Sequence, residues 1–384
     1  MTCSFQLASA VEPSVRRGLL TLGSSKVQKT LQTPAIFSYT LRGQVPHLTP
    51  DMLDDQTAPA VQVALQHFIV EGHILSGGPS SGMHRFLGYP NEKIILCDLL
   101  DPSGIRPTPP NGKQYVQFHT TSGVGKISPD AYMKAIRTYR PDALIALTDT
   151  PTEMNPSTSR IRRSVKRSLE HLDRCIALNE DKAPIFAVIQ GGHVAESRKH
   201  SAMNTADRDV NGYVVATPDT THLPMDNRVS LLSTTLEHLP VDKPRIAYGF
   251  SRPEEMLKAI QHGIDLLDGS YVYHVTSKGQ ALELSFDAAS PIYRTYDLWS
   301  TENREVLEPL IKGCPCYTCS HHTRAYTHHL LQVKEMLAEV LLMAHNMYQY
   351  NRFLEQIRLA ITEGSFTKTA ATFPSFPKEL ERAE

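Results

Sequence analysis

The chain has 384 residues, with 39 basic and 40 acidic side chains and a formal net charge of -1. A balance this close to neutral excludes a global field that would draw the chain to nucleic acid or a membrane surface, so any RNA contact has to be local. No run of about eighteen apolar residues is present to span a membrane, and the start MTCSFQLASAVEPSVRRG lacks both a secretory apolar stretch and the arginine content of a transit peptide; the cytosol is the expected compartment.

In chain order, short apolar or β-branched runs alternate with helical patterns. The strand-like runs are Pro34 to Tyr39, Lys93 to Cys97, Ala143 to Leu147, Pro184 to Ile189, Gly212 to Ala216, Arg245 to Phe250 and Ser270 to Val275, with a further one near Phe68 to Leu75. Helical patterns fill Pro129 to Tyr139, Ser159 to Leu178, Asn227 to Glu237 and Arg252 to His262. About eight strands alternating with helices, without a break in composition, predict an α/β fold, a (β/α)8 TIM-like barrel over residues 1–300. The stretches Gly78 to Gly88 and Leu99 to Gly125 are rich in Gly, Pro and Ser and read as inserted loops.

Two polar residues stand at expected strand ends, Asp149 and Gln190, and Asp268 sits at the near edge of the run GSYVYHV. Gly191 and Gly192 after Gln190 would let backbone approach a flat ligand closely, with the amide reading its donor and acceptor edges. Equally, these glycines can serve an ordinary strand-to-helix turn. The basic run Arg160, Arg162, Arg163, Lys166 and Arg167 places Arg160, Arg163 and Arg167 on one helix side, a candidate phosphate contact whose alternative is a solvated helix face.

Near the C-terminus, Cys314, Cys316 and Cys319 form a C-x-C-x2-C knot in GCPCYTCSHH. The other cysteines, Cys3, Cys97 and Cys175, are scattered, which suits a reduced protein better than a disulfide framework. From Tyr326 to Ala360 apolar residues recur at helical spacing, and His345 lies one turn after Leu341 on that stripe. Three thiolates and one imidazole make a closed tetrahedral site for one structural Zn2+ ion, with no position left for substrate. His321, His322, His328 and His329 compete by proximity, but the first pair is too near the knot and the second begins the helix. A zinc-binding helical subdomain is expected over residues 301–362, followed by a frayed tail over 363–384.

The segments CPCYTCSHHTRAYTHHLL and MLAEVLLMAHNMYQYNRFLEQIRLAI, with TSRIRRSVKRSLEHLDRC, FAVIQGGHVAESR and YGFSRPEEMLKAIQHGIDLLDGSYV upstream, resemble the tRNA-guanine transglycosylase family over most of the chain. That resemblance also selects Cys314, Cys316, Cys319 and His345 as the zinc ligands. It implies exchange of guanine for queuine in a tRNA anticodon by double displacement, with Asp268 at the nucleophile position and Asp149, Gln190, Gly191 and Gly192 at base-recognition positions.

The chain departs from the family where chemistry is done. The Asp-Ser-Gly-Gly-aromatic-Gln signature of active members is matched by IILCDLLDPSG, in which Asp98 falls on the acidic position but Leu99, Leu100 and Asp101 replace the base pocket. After Asp268 the RNA-gripping arginines are absent from GSYVYHVTSKGQAL, where Lys278 alone echoes them, and a glycine-rich base loop has become Thr217, Pro218 and Asp219. A kept zinc site with a lost pocket resembles the family's noncatalytic branch. The resemblance then implies an accessory subunit that forms a heterodimer with a catalytic paralogue near the zinc subdomains, binds tRNA through that complex, can self-dimerise in isolation and can lie peripherally at the mitochondrial outer membrane. Two alternatives stay open: an active homodimer using Asp268 and Asp98, and a zinc-stabilised barrel that binds a base or RNA without chemistry.

Overall fold

Side chains that alternate across a strand set the two cores of the molecule. In the strand Ile94–Asp98, Ile94 and Leu96 join the cluster inside a barrel, while Ile95 and Cys97 join the layer between strands and helices. The computed structural model describes residues 2–375, apart from residues 9–10, 13, 24–26, 54–57, 71–72, 75–81, 104–105 and 121–122.

Around the closed barrel the strands follow chain order: Ala35–Tyr39, Ala60–Ala64, Ile94–Asp98, Ala143–Ile145, Ile185–Val188, Gly212–Ala216, Arg245–Ala247 and Leu266–Asp268, the last pairing parallel with the first. Helices Pro129–Tyr139, Thr158–Ala177, Ala195–Ala206, Met225–Leu236 and Pro253–Gln261 return the chain between strands. An antiparallel sheet of Thr2–Leu7, Gly18–Gly23 and Gln28–Thr33 plugs the end where the strands begin. Its Leu20, Leu22 and Leu31 share the interior cluster with Ala35, Ala60, Ile94 and Ala143, all at or near the first residue of a barrel strand.

Several expected elements are corrected. The run Ser270 to Val275 is a helix, Ser270–Ser277, and the eighth strand is the preceding Leu266–Asp268. Its Tyr271, Val272, Val275 and Thr276 are buried at helical spacing, so tertiary packing overrides the strand preference of aromatic and β-branched residues. The barrel strand expected near Phe68 is Ala60–Ala64, whereas Ile69–Val70 and His73–Ile74 form a separate short hairpin. Within the expected loops lie a helix, Gly82–Leu87, and a hairpin, Val116–Thr120 with Gly123–Ile127; residues 78–81 fall outside the described part.

The C-terminal part is built on the hairpin Gln280–Ser285 with Ile292–Asp297 and the long helix Leu337–Glu363. One face of that helix covers the hairpin edge: Asn346 Oδ1 accepts from Leu282 N at 2.8 Å, Gln349 Oε1 from Leu284 N at 3.2 Å and Gln356 Oε1 from Phe286 N at 2.8 Å. Side-chain amides thus satisfy backbone donors that an uncovered strand would leave open. The single helix expected from Tyr326 to Ala360 is two, Arg324–Gln332 and Leu337–Glu363, separated where Lys334 takes a left-handed φ of 58°. The tail expected to fray at Glu363 instead turns into the helix Phe366–Thr372, whose fully buried Phe366 packs on Phe286 with ring centroids 5.5 Å apart; residues 376–384 lie outside the described part. Among the described residues no helix is long and apolar enough to cross a membrane.

Candidate metal centre and barrel mouth

His345 is fully buried on the long helix, and its Nε2 lies 2.8 Å from Leu282 O. A carbonyl only accepts, so Nε2 carries the hydrogen and Nδ1 presents its lone pair. That lone pair faces sulfur: Nδ1 is 3.9, 3.3 and 3.4 Å from the Sγ atoms of Cys314, Cys316 and Cys319. All four ligand atoms lie within 4.8 Å of one another, against an edge of about 3.8 Å for a tetrahedron with zinc–sulfur bonds.

Donors surround the sulfurs. Ile311 N–H points to Cys319 Sγ at 3.5 Å, Cys319 N–H to Cys316 Sγ at 3.4 Å and Gln349 Nε2 to Cys314 Sγ at 3.3 Å. Such donors favour thiolates, and thiolates facing an imidazole lone pair repel unless a cation lies between them. The group can therefore hold one metal ion. His328 is elsewhere, with Nδ1 2.8 Å from Leu298 O.

The four polar candidates of the barrel stand where strands end. Asp98 closes Ile94–Asp98, Asp149 follows Ala143–Ile145, Gln190 follows Ile185–Val188 and Asp268 closes Leu266–Asp268. This is the rim at which such barrels carry their sites. What surrounds each residue decides what it can do there.

Asp149 is fully buried and saturated: it accepts from Asn111 Nδ2 at 2.7 Å, from Arg160 Nη2 and Nη1 at 2.7 and 3.1 Å, and from Arg167 Nη1 at 3.3 Å. Asp268, 1 % exposed, accepts from Gly249 N at 3.0 Å, from Ser270 N at 3.3 Å and from the Ser270 hydroxyl; burial raises its carboxyl pKa. Asp98 accepts from Leu99 N at 2.6 Å, and burial pushes its carboxyl up to about 7. The cavity that Asp98 lines with Leu99, Leu100, Thr148, Thr217 and Tyr248 measures about 40 Å³. That is room for a few waters, against roughly 300 Å³ for the smallest ordinary ligand pocket.

Gln190 turns inward, its Nε2 donating to Thr148 Oγ1 at 3.1 Å and Thr150 Oγ1 at 2.8 Å. Gly191 has a φ of 144°, and a Cβ there would stand 2.6 Å from Arg198 N, so close approach of the helix Ala195–Ala206 requires glycine. Arg198, 2 % exposed, completes that turn by donating to Gly192 O at 2.7 Å and Val215 O at 3.0 Å. In the loop after the strand Gly212–Ala216, the Thr217 hydroxyl donates to Asp219, whose carboxyl is raised by burial and drawn back by the Arg198 charge.

The basic helix is split. Arg160 and Arg167 face the mouth and bind Asp149, so they are not on the solvent side expected for phosphate contact, whereas Arg162, Arg163 and Lys166 are exposed. Lys278 is exposed at the end of Ser270–Ser277. Sequence reasoning missed Asn111, which lies in a stretch without periodicity. It also missed Arg198, whose helix buries a small polar face of Ser197, Ser201 and Thr205 and so carries no apolar signal, and Gln349, a polar residue inside an apolar helical stripe, which is the signal that marks it.

A family model described as queuine tRNA-ribosyltransferase matches residues 13–376. The chain is 32% identical over 406 residues to queuine tRNA-ribosyltransferase accessory subunit 2 of Xenopus tropicalis, covering 94% of this chain and 97% of that protein. It is 33% identical over 373 residues to the protein of the same name from Homo sapiens, with 86% and 90% covered, and 33% identical over 356 residues to that of Ixodes scapularis, again with 86% and 90% covered. The chain belongs to the queuine tRNA-ribosyltransferase family.

Proposed function

We propose that this chain is a noncatalytic accessory subunit of a queuine tRNA-ribosyltransferase, pairing with a catalytic paralogue that exchanges guanine for queuine in tRNA. The observation that carries this reading is the filled barrel mouth, where Leu99 and Leu100 leave a cavity of about 40 Å³ beside Asp98. A double displacement needs one carboxylate free to reach an anomeric carbon and a second to move protons, with a slot for a planar base. Here Asp149 is neutralised by two guanidinium groups and Asp268 is held by Gly249 and Ser270. The relatives named above are called accessory subunits, which accords with this reading.

Three cysteines and a histidine suit zinc better than a harder cation, and four protein ligands close the site, so the ion is structural. It ties residues 314–319 to the long helix and shapes the surface offered to the paralogue. That subdomain, residues 301–362 in our division, exposes Leu307, Tyr317, Tyr326, Val333, Met336 and Leu337, with Leu307 and Met336 about four-fifths exposed at 79% and 80%. Apolar exposure of this kind fits a protein interface, and a paralogue related by a pseudo-twofold axis would cover it. The barrel, residues 1–300, carries the RNA contact through Arg163, its neighbours Arg162 and Lys166, and Lys278. In this division residues 363–384 form the tail.

The test is incorporation of labelled guanine into tRNA by the purified chain, by the catalytic paralogue and by an equimolar mixture. We expect no exchange by this chain alone and more exchange by the mixture than by the paralogue alone. Exchange by this chain alone would overturn the proposal.

A further inference from the structure

The end of the barrel opposite the mouth holds a cavity of about 520 Å³ lined by Leu7, Ser14, Arg16, Val241, Arg245 and Gly263, among others. Its size lies in the range of small-molecule pockets. Arg245, the first residue of the strand Arg245–Ala247, is only 6 % exposed. Its Nε has no partner, and its Nη atoms reach the carbonyls of Gly263 and Pro240 only at 3.5 Å, beyond good hydrogen-bond length.

Arg16 stands beside it. Its Nη2 donates to Lys243 O at 3.1 Å, its Nη1 is buried without a partner, and its Nε lies 3.1 Å from Asp265 Oδ1 without the alignment of a hydrogen bond. Burial and the Arg16 charge push Arg245 down to about 10, and burial pushes Asp265 up to about 6. Arg16 is paired with the buried Asp265 carboxylate, whose other oxygen accepts from the backbone N–H of Arg245 at 2.9 Å, so that one carboxylate's charge serves both guanidinium groups, with Asp242 adding a weaker attraction on Arg16. Buried charges are ordinarily paired and hydrogen-bonded, so two guanidinium groups in the cavity wall with N–H donors left unmatched call for a further acceptor. Gly263, at a φ of 86°, keeps the approach clear: a Cβ there would lie 3.2 Å from Arg245 Nη1 and 3.3 Å from Arg16 Cδ.

The geometry points to a second binding site here, in which Arg16 and Arg245 take the oxyanion headgroup, phosphate or carboxylate, of a small amphipathic molecule. Its apolar part rests on Leu7 and Val241, which are 41% and 69% exposed at the cavity. The site shares no residue with the barrel mouth or the metal centre, so it stands or falls independently of the accessory role.

Calorimetric titration of the metal-loaded full chain with phenyl phosphate and, separately, with benzoate at fixed ionic strength tests it. Saturable binding at one site per chain is expected, and the tighter probe names the headgroup. Arg245→Leu should weaken it by at least about tenfold, the loss of a charge-assisted hydrogen bond. Val241→Asp, an exposed rim substitution that leaves the barrel floor intact, should weaken it severalfold by repulsion. No saturation with either probe, or unchanged affinity in Arg245→Leu, overturns the proposal. If Arg245→Leu does not fold, unchanged affinity in Val241→Asp overturns it.

Discussion

Three carboxylates at one barrel rim are held in three different ways. Asp149 meets guanidinium charge, Asp268 meets an N–H pair and a hydroxyl, and Asp98 has the Leu99 N–H in a leucine-lined cavity. Asp98 is therefore a carboxylate whose protonation bears on stability near neutral pH. Its folded-state pKa, pushed up to about 7 by burial, lies above the unfolded value of about 3.9, so the folded chain binds more protons between those limits. The stability it contributes is complete below the unfolded value and is lost as pH rises through about 7. Asp98→Asn should remove that slope: relative to the wild type, its urea midpoint should rise between about pH 4 and pH 7. A difference that does not change with pH would mean that Asp98 titrates as an exposed group.

Elements were legible where local chemistry and packing agree. The helix Pro129–Tyr139 has the expected bounds because Ser128 caps it, its Oγ accepting from Ala131 N at 3.2 Å, and Pro129 opens its first turn. The strand Gly212–Ala216 is a buried run of Gly, Tyr, Val and Ala with nothing to contradict it. Ala60–Ala64 was not legible because Gln62 interrupts its apolar run, and Ser270–Ser277 because its β-branched and aromatic residues are claimed by packing against the long helix. The cysteine knot could be read from its spacing. The Asp149 cluster could not, since Asn111, Arg160 and Arg167 reach it from 38, 11 and 18 residues away.

Gln349 joins two elements: Oε1 accepts from Leu284 N and Nε2 donates to Cys314 Sγ. Gln349→Met keeps the helix and the packing volume but removes both bonds. Metal affinity, measured by competition with a chromogenic chelator, should fall about 10- to 100-fold, as for other partners that orient a ligand. An unchanged affinity would mean that the thiolate needs no donor there.

Across the whole molecule, the helix Leu337–Glu363 runs from the metal centre to the sheet end of the barrel. His345 faces the cysteines, while thirteen residues later, about 20 Å along the axis, Arg358 Nη1 donates to Pro34 O at 2.9 Å. Near its end, Arg17 Nη1 donates to Thr362 Oγ1 at 2.7 Å. A metal ion held by that group would brace an element that is also tied to the sheet end of the barrel, which suits a subunit whose work is to hold a shape.

The most direct measurement is guanine exchange by the complex of this chain with a catalytic paralogue whose own nucleophile is replaced by Ala, made with and without Asp268→Ala in this chain. If the filled mouth does no chemistry, neither complex exchanges guanine above background. Removal of a working nucleophile costs about four to six orders of magnitude, so exchange by the first complex that Asp268→Ala abolishes would contradict the account.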